Sequence, residues 1–194
     1  MEWVKSLESL DGVTKKELRD AKKYPDAQTW WCKTSDWKLM LTALSQSTSD
    51  NCQLTKCVCD LTEQILPCFM EVFPNDTSLK HALETAKRCA ESHISINSES
   101  LRPVEAAANE TAIYVSGLAF VSAVCKKRES NFASAACVAK AASLCVGTLV
   151  NFQCALSVAC CIDSFYKRNR MLEMDKKHMV RTIRKYFPTN PFVD

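Results

Sequence analysis

The chain has 194 residues, enough for one domain with a sizeable core and short for two. Its 47% hydrophobic and 24% charged residues are ordinary globular values, while only 3 Gly and 6 Pro argue against a turn-rich β-sandwich or barrel. A net charge of +3 is too small to imply an acidic partner by itself.

The opening, MEWVKSLESLDG, has no apolar h-region and carries Glu2 and Glu8 early, so it does not read as a signal peptide. Twelve cysteines in a chain expected to stay in the cytoplasm then read as reduced thiols, and the sequons at Asn75 and Asn109 as idle. Residues 1–36 look like an irregular arm with one short helix, for which Thr14 and Glu17 form a capping box and Tyr24-Pro25-Asp26 a stop. The stretch TWWCKTSDWKLMLTAL follows and holds Trp30, Trp31 and Trp37. Such rings suit a partner-binding or stacking platform. They also dominate burial wherever they occur, so packing of the arm against the bundle is the simpler expectation.

From Ser49 the pattern is helical throughout. Ser49 or Asp50 can cap a helix to about Phe73, with Leu54, Val58, Leu61, Ile65, Leu66, Phe69 and Phe73 on one stripe and Pro67 predicting a break between Ile65 and Phe69. FPNDTS is a turn. The next helix, Ser78 to about Ser92, turns Leu79, Leu83, Ala86 and Ala90 inward. A long helix from about Leu101 to Lys127 accepts Pro103 in its first turn and is expected to bury Ala106, Ala107, Ala112, Val115, Ala119 and Ala123. Two more helices cover about Asn131–Val146 and Leu149–Tyr166, and a basic one runs from about Asn169 to Tyr186.

Residues 141–162, AASLCVGTLVNFQCALSVACCI, lack any charge and pass the length test for a bilayer span. Asn151, Gln153, Ser143, Ser157 and Thr148 would then lie in lipid, with too few Leu, Ile, Phe and Val to offset them. Burial in a helical bundle fits better, because small side chains let helices approach closely. The segment then consists of two helical pieces meeting near Gly147, buried against the 101–127 helix, with Cys145, Cys154 and Cys161 reduced and largely buried.

No C-x-x-C occurs, so the usual structural-zinc and thioredoxin-like spacings are missing. The sharpest metal constellation is Cys89 with His93 at i,i+4 and His81 two turns earlier, a set that lacks further ligands, so no cofactor is expected. No nucleophile–base pairing stands out among twelve cysteines and three histidines, and the chain reads as leaning away from catalysis. The charge asymmetry lies in residues 165–187, which carry eight Lys/Arg against two acids. Lys167, Arg168, Arg170, Lys177 and Arg181 belong to this cluster, which suits either an acidic protein or nucleic acid, or is simply the solvated face of a helix packing Met171, Leu172, Met179, Ile183 and Phe187 inward.

Residues 58–96, VCDLTEQILPCFMEVFPNDTSLKHALETAKRCAESHISI, resemble a bacterial family of immunity proteins, the Imm-5-like domains. In that family a helix ends in an L-P-x-F-E-like turn, followed by P-x-D and a helix reading A-I-E-x-A-R-x-x-A. The matching residues are Leu66-Pro67-Cys68-Phe69, Pro74-Asn75-Asp76 and Ala82-Leu83-Glu84-Thr85-Ala86-Lys87. EAAANETAIYVSG, SAACVAKAASLCVGT and QCALSVACCIDSF stand where the family has Ala-rich helices. Ser78-Leu79 departs from its Arg-Pro, and Asn109 and Cys154 from its histidines. The resemblance implies a non-enzymatic interaction protein that neutralises a protein partner, a toxin or another defence component.

The expectation is therefore an all-α protein, one bundle of about seven helices with Ala/Cys-rich central helices. A Trp-rich arm over 1–48 packs on the bundle of 49–187, and 188–194 is a tail.

Overall fold

In the computed structural model, residues 2–92, 98–124, 129–149, 151, 153–169 and 173–192 are described. Among them eleven helices and no strand occur: α1 Glu2–Glu8, α2 Lys15–Ala21, α3 Ala27–Lys33, α4 Trp37–Ser47, α5 Asn51–Glu63, α6 Leu66–Val72, α7 Ser78–Ser92, α8 Ser98–Val124, α9 Glu129–Thr148, α10 Gln153–Asn169 and α11 Glu173–Tyr186.

The excess over seven has two sources. The N-terminal arm is helical through most of its length, because Asp26 and Asp36 accept backbone N–H bonds from Thr29 and Leu39 and so start helices that aromatic residues alone would start poorly. Thr14 and Glu17 form the reciprocal capping box that starts α2, and Gly12 takes the turn before it at φ +82, a conformation costly for a residue with a Cβ. The second source is the break before Pro67. The helix from Asp50 ends at Glu63, and α6 restarts with Pro67 in its first turn, where a missing N–H costs no intrahelical bond.

The charge-free segment at the centre of the sequence lies at the centre of the molecule. α9 packs on α5, α6, α7, α8 and α10. Its Ala135, Val138, Ala139, Ala141, Ala142, Cys145 and Val146 are all at most 1% exposed. Side chains this small let five neighbours close around one helix at interior density. α10 continues after a turn, burying the stripe Ala155, Val158, Ala159, Ile162 and Phe165. It packs on α9, α4 and α5, whereas α8 lies on α9 and α7. Only the first piece of the segment is therefore buried against the long helix. No described helix is long and apolar enough to cross a membrane.

The register of α8 differs from expectation. Ala108, Ala112 and Val115 face inward, while Ala106 and Ala107 are exposed; Ala119 is half-buried, and the Ala123 side chain lies outside the described residues. Apolar residues are distributed nearly all round this helix, so its sequence contains no single stripe to set the buried face.

The arm and the bundle share one core. Trp30 stacks at 5.8 Å from both Trp3 and Trp31, and Phe192 joins at 6.2 Å. Phe192 belongs to the expected tail, which instead docks on α3. The Asn190 backbone N–H and side-chain amide both donate to Gln28 Oε1 at 3.1 Å.

Candidate functional site

The three tryptophans offered as a partner platform are core residues. Trp30, Trp31 and Trp37 are 1%, 0% and 5% exposed, so a partner meeting the folded chain cannot reach their rings. Trp31 also directs its Nε1–H to the Phe187 carbonyl at 2.9 Å, joining α3 to the end of α11.

Three members of the basic C-terminal cluster, Lys167, Arg184 and Lys185, are engaged by the protein's own groups. The Arg184 guanidinium donates to the Trp31 carbonyl from Nε at 2.9 Å and Nη2 at 2.6 Å, and from Nη2 to the Thr34 carbonyl at 2.8 Å. These carbonyls end α3, where no intrahelical donor remains for the last turn. Lys185 donates to Asp60 at 3.0 Å and Lys167 pairs with Asp163 at 2.9 Å. Lys177 and Arg181 are exposed, with no ion pair among the described residues; Arg168 is exposed at the end of α10; Arg170 lies outside the described residues. Met179 and Ile183 face inward as expected, and Phe187 is half-buried, whereas Met171 and Leu172 are not described.

A polar network that the sequence reading missed holds this helix in place. Asp60 on α5 accepts from Lys87 at 2.6 Å, Lys185 at 3.0 Å and the Tyr186 hydroxyl at 2.7 Å, and Lys87 reaches Glu63 at 2.6 Å as well. Burial opposes ionisation of Asp60, but the hydrogen bonds from Lys87, Tyr186 and Lys185 outweigh it and hold its carboxyl below the ordinary value. Burial and the Asp60 bond together raise the Tyr186 phenol. For Lys87 burial works against the charge, yet its two carboxylate partners raise the ammonium. Every charge here has a partner, so the network fastens α7 and α11 to α5. No helical spacing signals the pairing of Lys87 with Asp60.

Two of the three metal candidates fall among the described residues. His81 is exposed on α7, Cys89 is half-buried on the same helix, and His93 lies outside the described residues. Among the described residues no group of three or more His, Cys, Asp or Glu is placed to hold a metal ion.

The outward face of α8 is a different matter. Ile113 and Tyr114 are 65% and 63% exposed, the two large hydrophobic side chains left on the described surface. The exposed residues one turn away are Asn109, Glu110, Ser116 and Gly117, with exposed Ala106 and Ala107 a further turn back, so two apolar side chains project from a mostly polar rim. Thr111, one turn before Tyr114 on the same flank, shares a 2.9 Å hydrogen bond with the Ser78 hydroxyl at the start of α7. Beside it lies an open cleft of about 770 Å³ lined by Phe73, Pro74, Asn75, Asp76, Ser78 and His81. The Pro74-Asn75-Asp76 turn of the resemblance therefore borders the exposed flank of α8. A signal for this face is present in the run Ala112-Ile113-Tyr114-Val115. At 100° per residue, four consecutive apolar residues span most of a helix circumference, so some must face outward.

No family model, curated protein or solved structure matches the chain.

The thiols divide by environment. The eleven described cysteines are free; Cys57, Cys59 and Cys145 are fully buried, and Thr62 Oγ1 lies 3.3 Å from the Cys145 sulfur. A hydrogen bond to Cys145 together with burial raises the Cys59 thiol, and burial does the same to Cys57. Cys154 and Cys161 are half-buried rather than fully so. Burial pushes Cys161 up to about 12. Such thiols stay protonated at neutral pH and are poor nucleophiles.

Proposed function

We propose that the protein is a non-enzymatic binding protein of the immunity type, acting in the cytoplasm by docking on a protein partner, a toxin or another defence component, and neutralising it. The observation that carries this reading is the exposed pair Ile113 and Tyr114 on α8. Burying each such side chain in an interface is worth about 1.5–3 kcal/mol, and an aromatic anchor with a polar rim is the anatomy of an interface centre. Ala106, Ala107 and Gly117 let a partner helix or loop approach the α8 backbone closely. The class of partner, a toxin or another defence component, rests on the resemblance of residues 58–96 alone.

Co-purification of the tagged full-length protein from its native cells, followed by mass spectrometry, tests the proposal. The wild-type chain is expected to recover one stoichiometric protein, and Ile113→Asp/Tyr114→Asp to lose it at unchanged thermal stability. Recovery of no stoichiometric partner across growth conditions would contradict the function. Equal recovery by the double variant would contradict the assigned surface.

A further inference from the structure

A second concavity lies on a different side of α8, where α8, α9 and α10 meet. It has a volume of about 370 Å³, and Ser116, Cys137, Lys140, Cys160, Cys161 and Arg168 are among its lining residues. That volume is within the range of small-molecule sites.

The charge pattern is one-sided. Lys140 on α9 and Arg168 on α10 both line the cleft, and none of its described lining residues is a carboxylate. Elsewhere in the chain Lys38, Lys87, Lys167 and Lys185 each lie against an Asp or Glu. Lys140 and Arg168 have no such partner among the described residues. Arg168 instead lies beside the Cys137 thiol in the lining of the same cleft. The rest of the lining is small and weakly polar: three alanines, three thiols, and the hydroxyls of Ser116 and Ser164. Two cations at the rim of a compact apolar hollow attract a negative head and accept an apolar body beneath it. Burial raises the Cys137 and Cys161 thiols, so neither adds negative charge to oppose this.

We propose that the α8–α9–α10 cleft is a binding site for a small amphipathic anion, a carboxylate or similar oxyanion on a short apolar body, held by Lys140 and Arg168. The site is separate from the Ile113/Tyr114 face and independent of the identity of any protein partner. Exposed charge pairs of this type change affinity a few-fold each, so loss of both cations is expected to weaken binding by about tenfold.

The cleft's own cysteines report occupancy. Octanoate and octanamide serve as probes of matched shape and different charge, and iodoacetamide labelling of the full-length protein is followed residue by residue by peptide mass spectrometry. Octanoate is expected to slow labelling of Cys160 saturably, about fivefold or more at the plateau, with octanamide changing it less than twofold. Cys32, exposed on α3, is the reference whose rate stays constant. In Lys140→Gln/Arg168→Gln the octanoate concentration giving half-maximal protection is expected to rise about tenfold, while the Cys32 rate and the helical circular dichroism stay unchanged. Absence of protection in the wild-type chain would overturn the proposal, as would equal protection by octanamide or an unchanged half-maximal concentration in the double variant.

Discussion

Removal of the Arg184 fork tests how the C-terminal helix is held. Three charge-assisted contacts run from this guanidinium to the Trp31 and Thr34 carbonyls at 2.6–2.9 Å. A hydrogen bond to a charged group contributes about 1.5–3 kcal/mol, and the three contacts share one half-buried side chain, so they do not add fully. Arg184→Met keeps most of the stem's packing but leaves the end of α3 without its donor, and is expected to cost about 3 kcal/mol. For a chain of this size that lowers Tm by about 6–12 °C. Arg184→Lys keeps the charge but not the planar fork, and is expected to lose about half as much. Urea unfolding followed by tryptophan fluorescence reads both, since Trp30 and Trp31 sit at the junction. A double-mutant cycle with Trp31→Phe, which removes the Nε1–H bond to Phe187, is expected to give a coupling of about 0.5–1 kcal/mol. A Met variant within about 0.5 kcal/mol of wild type would refute the reasoning, because an unsatisfied helix end should not be that tolerable.

Acid titration of stability should reveal the Asp60 network. The folded carboxyl lies below its unfolded value, so its contribution is fully present above the unfolded pKa of about 3.9 and is lost as pH falls through the lower folded value. Asp60→Asn should flatten that acid limb, as measured by urea midpoints from pH 5 to pH 2. At the alkaline end Lys87 and Tyr186 are both raised, so their contributions hold below the unfolded values near pH 10 and fade above them. Gly147→Ala places a Cβ 3.1 Å from the Cys154 sulfur, which offsets the helix-propensity gain of about 0.5–1 kcal/mol. The double variant Gly147→Ala/Cys154→Ala should recover that gain in thermal melts. Native-state alkylation should label Cys32 and Cys160 rapidly and leave Cys57, Cys59 and Cys145 unlabelled; fast labelling of Cys145 would place α9 at the surface.

Helices with a polar face were legible residue by residue. α7 begins at Ser78 and ends at Ser92 as its apolar spacing implies, and the Thr14–Glu17 box marked the start of α2. Composition settled that the charge-free segment lies inside a bundle, since its amides suit a helix interface and not lipid. Where side chains are small and apolar on all sides, as on α8, spacing carries little phase: Ala112 and Val115 were placed inward correctly, but Ala106 and Ala107 are exposed and the buried Ala108 was missed. In the Trp-rich arm α1 and α3 stayed hidden because each is only seven residues long and depends on tertiary packing of Trp3, Trp30 and Trp31. Pairings distant in sequence, Arg184 with α3 or Asp60 with Tyr186, leave no local trace. For that reason the basic cluster looked like a free surface when part of it is committed to the fold.

The most direct test of the central claim, that the α8 face meets a protein partner, is photo-crosslinking in native cells. A benzophenone amino acid replaces Tyr114 in one version of the full-length chain and Lys177 on α11 in another. The account predicts a single dominant crosslinked protein from position 114 and none from position 177. A crosslink from position 177 alone, or none from position 114 under any growth condition, would contradict it.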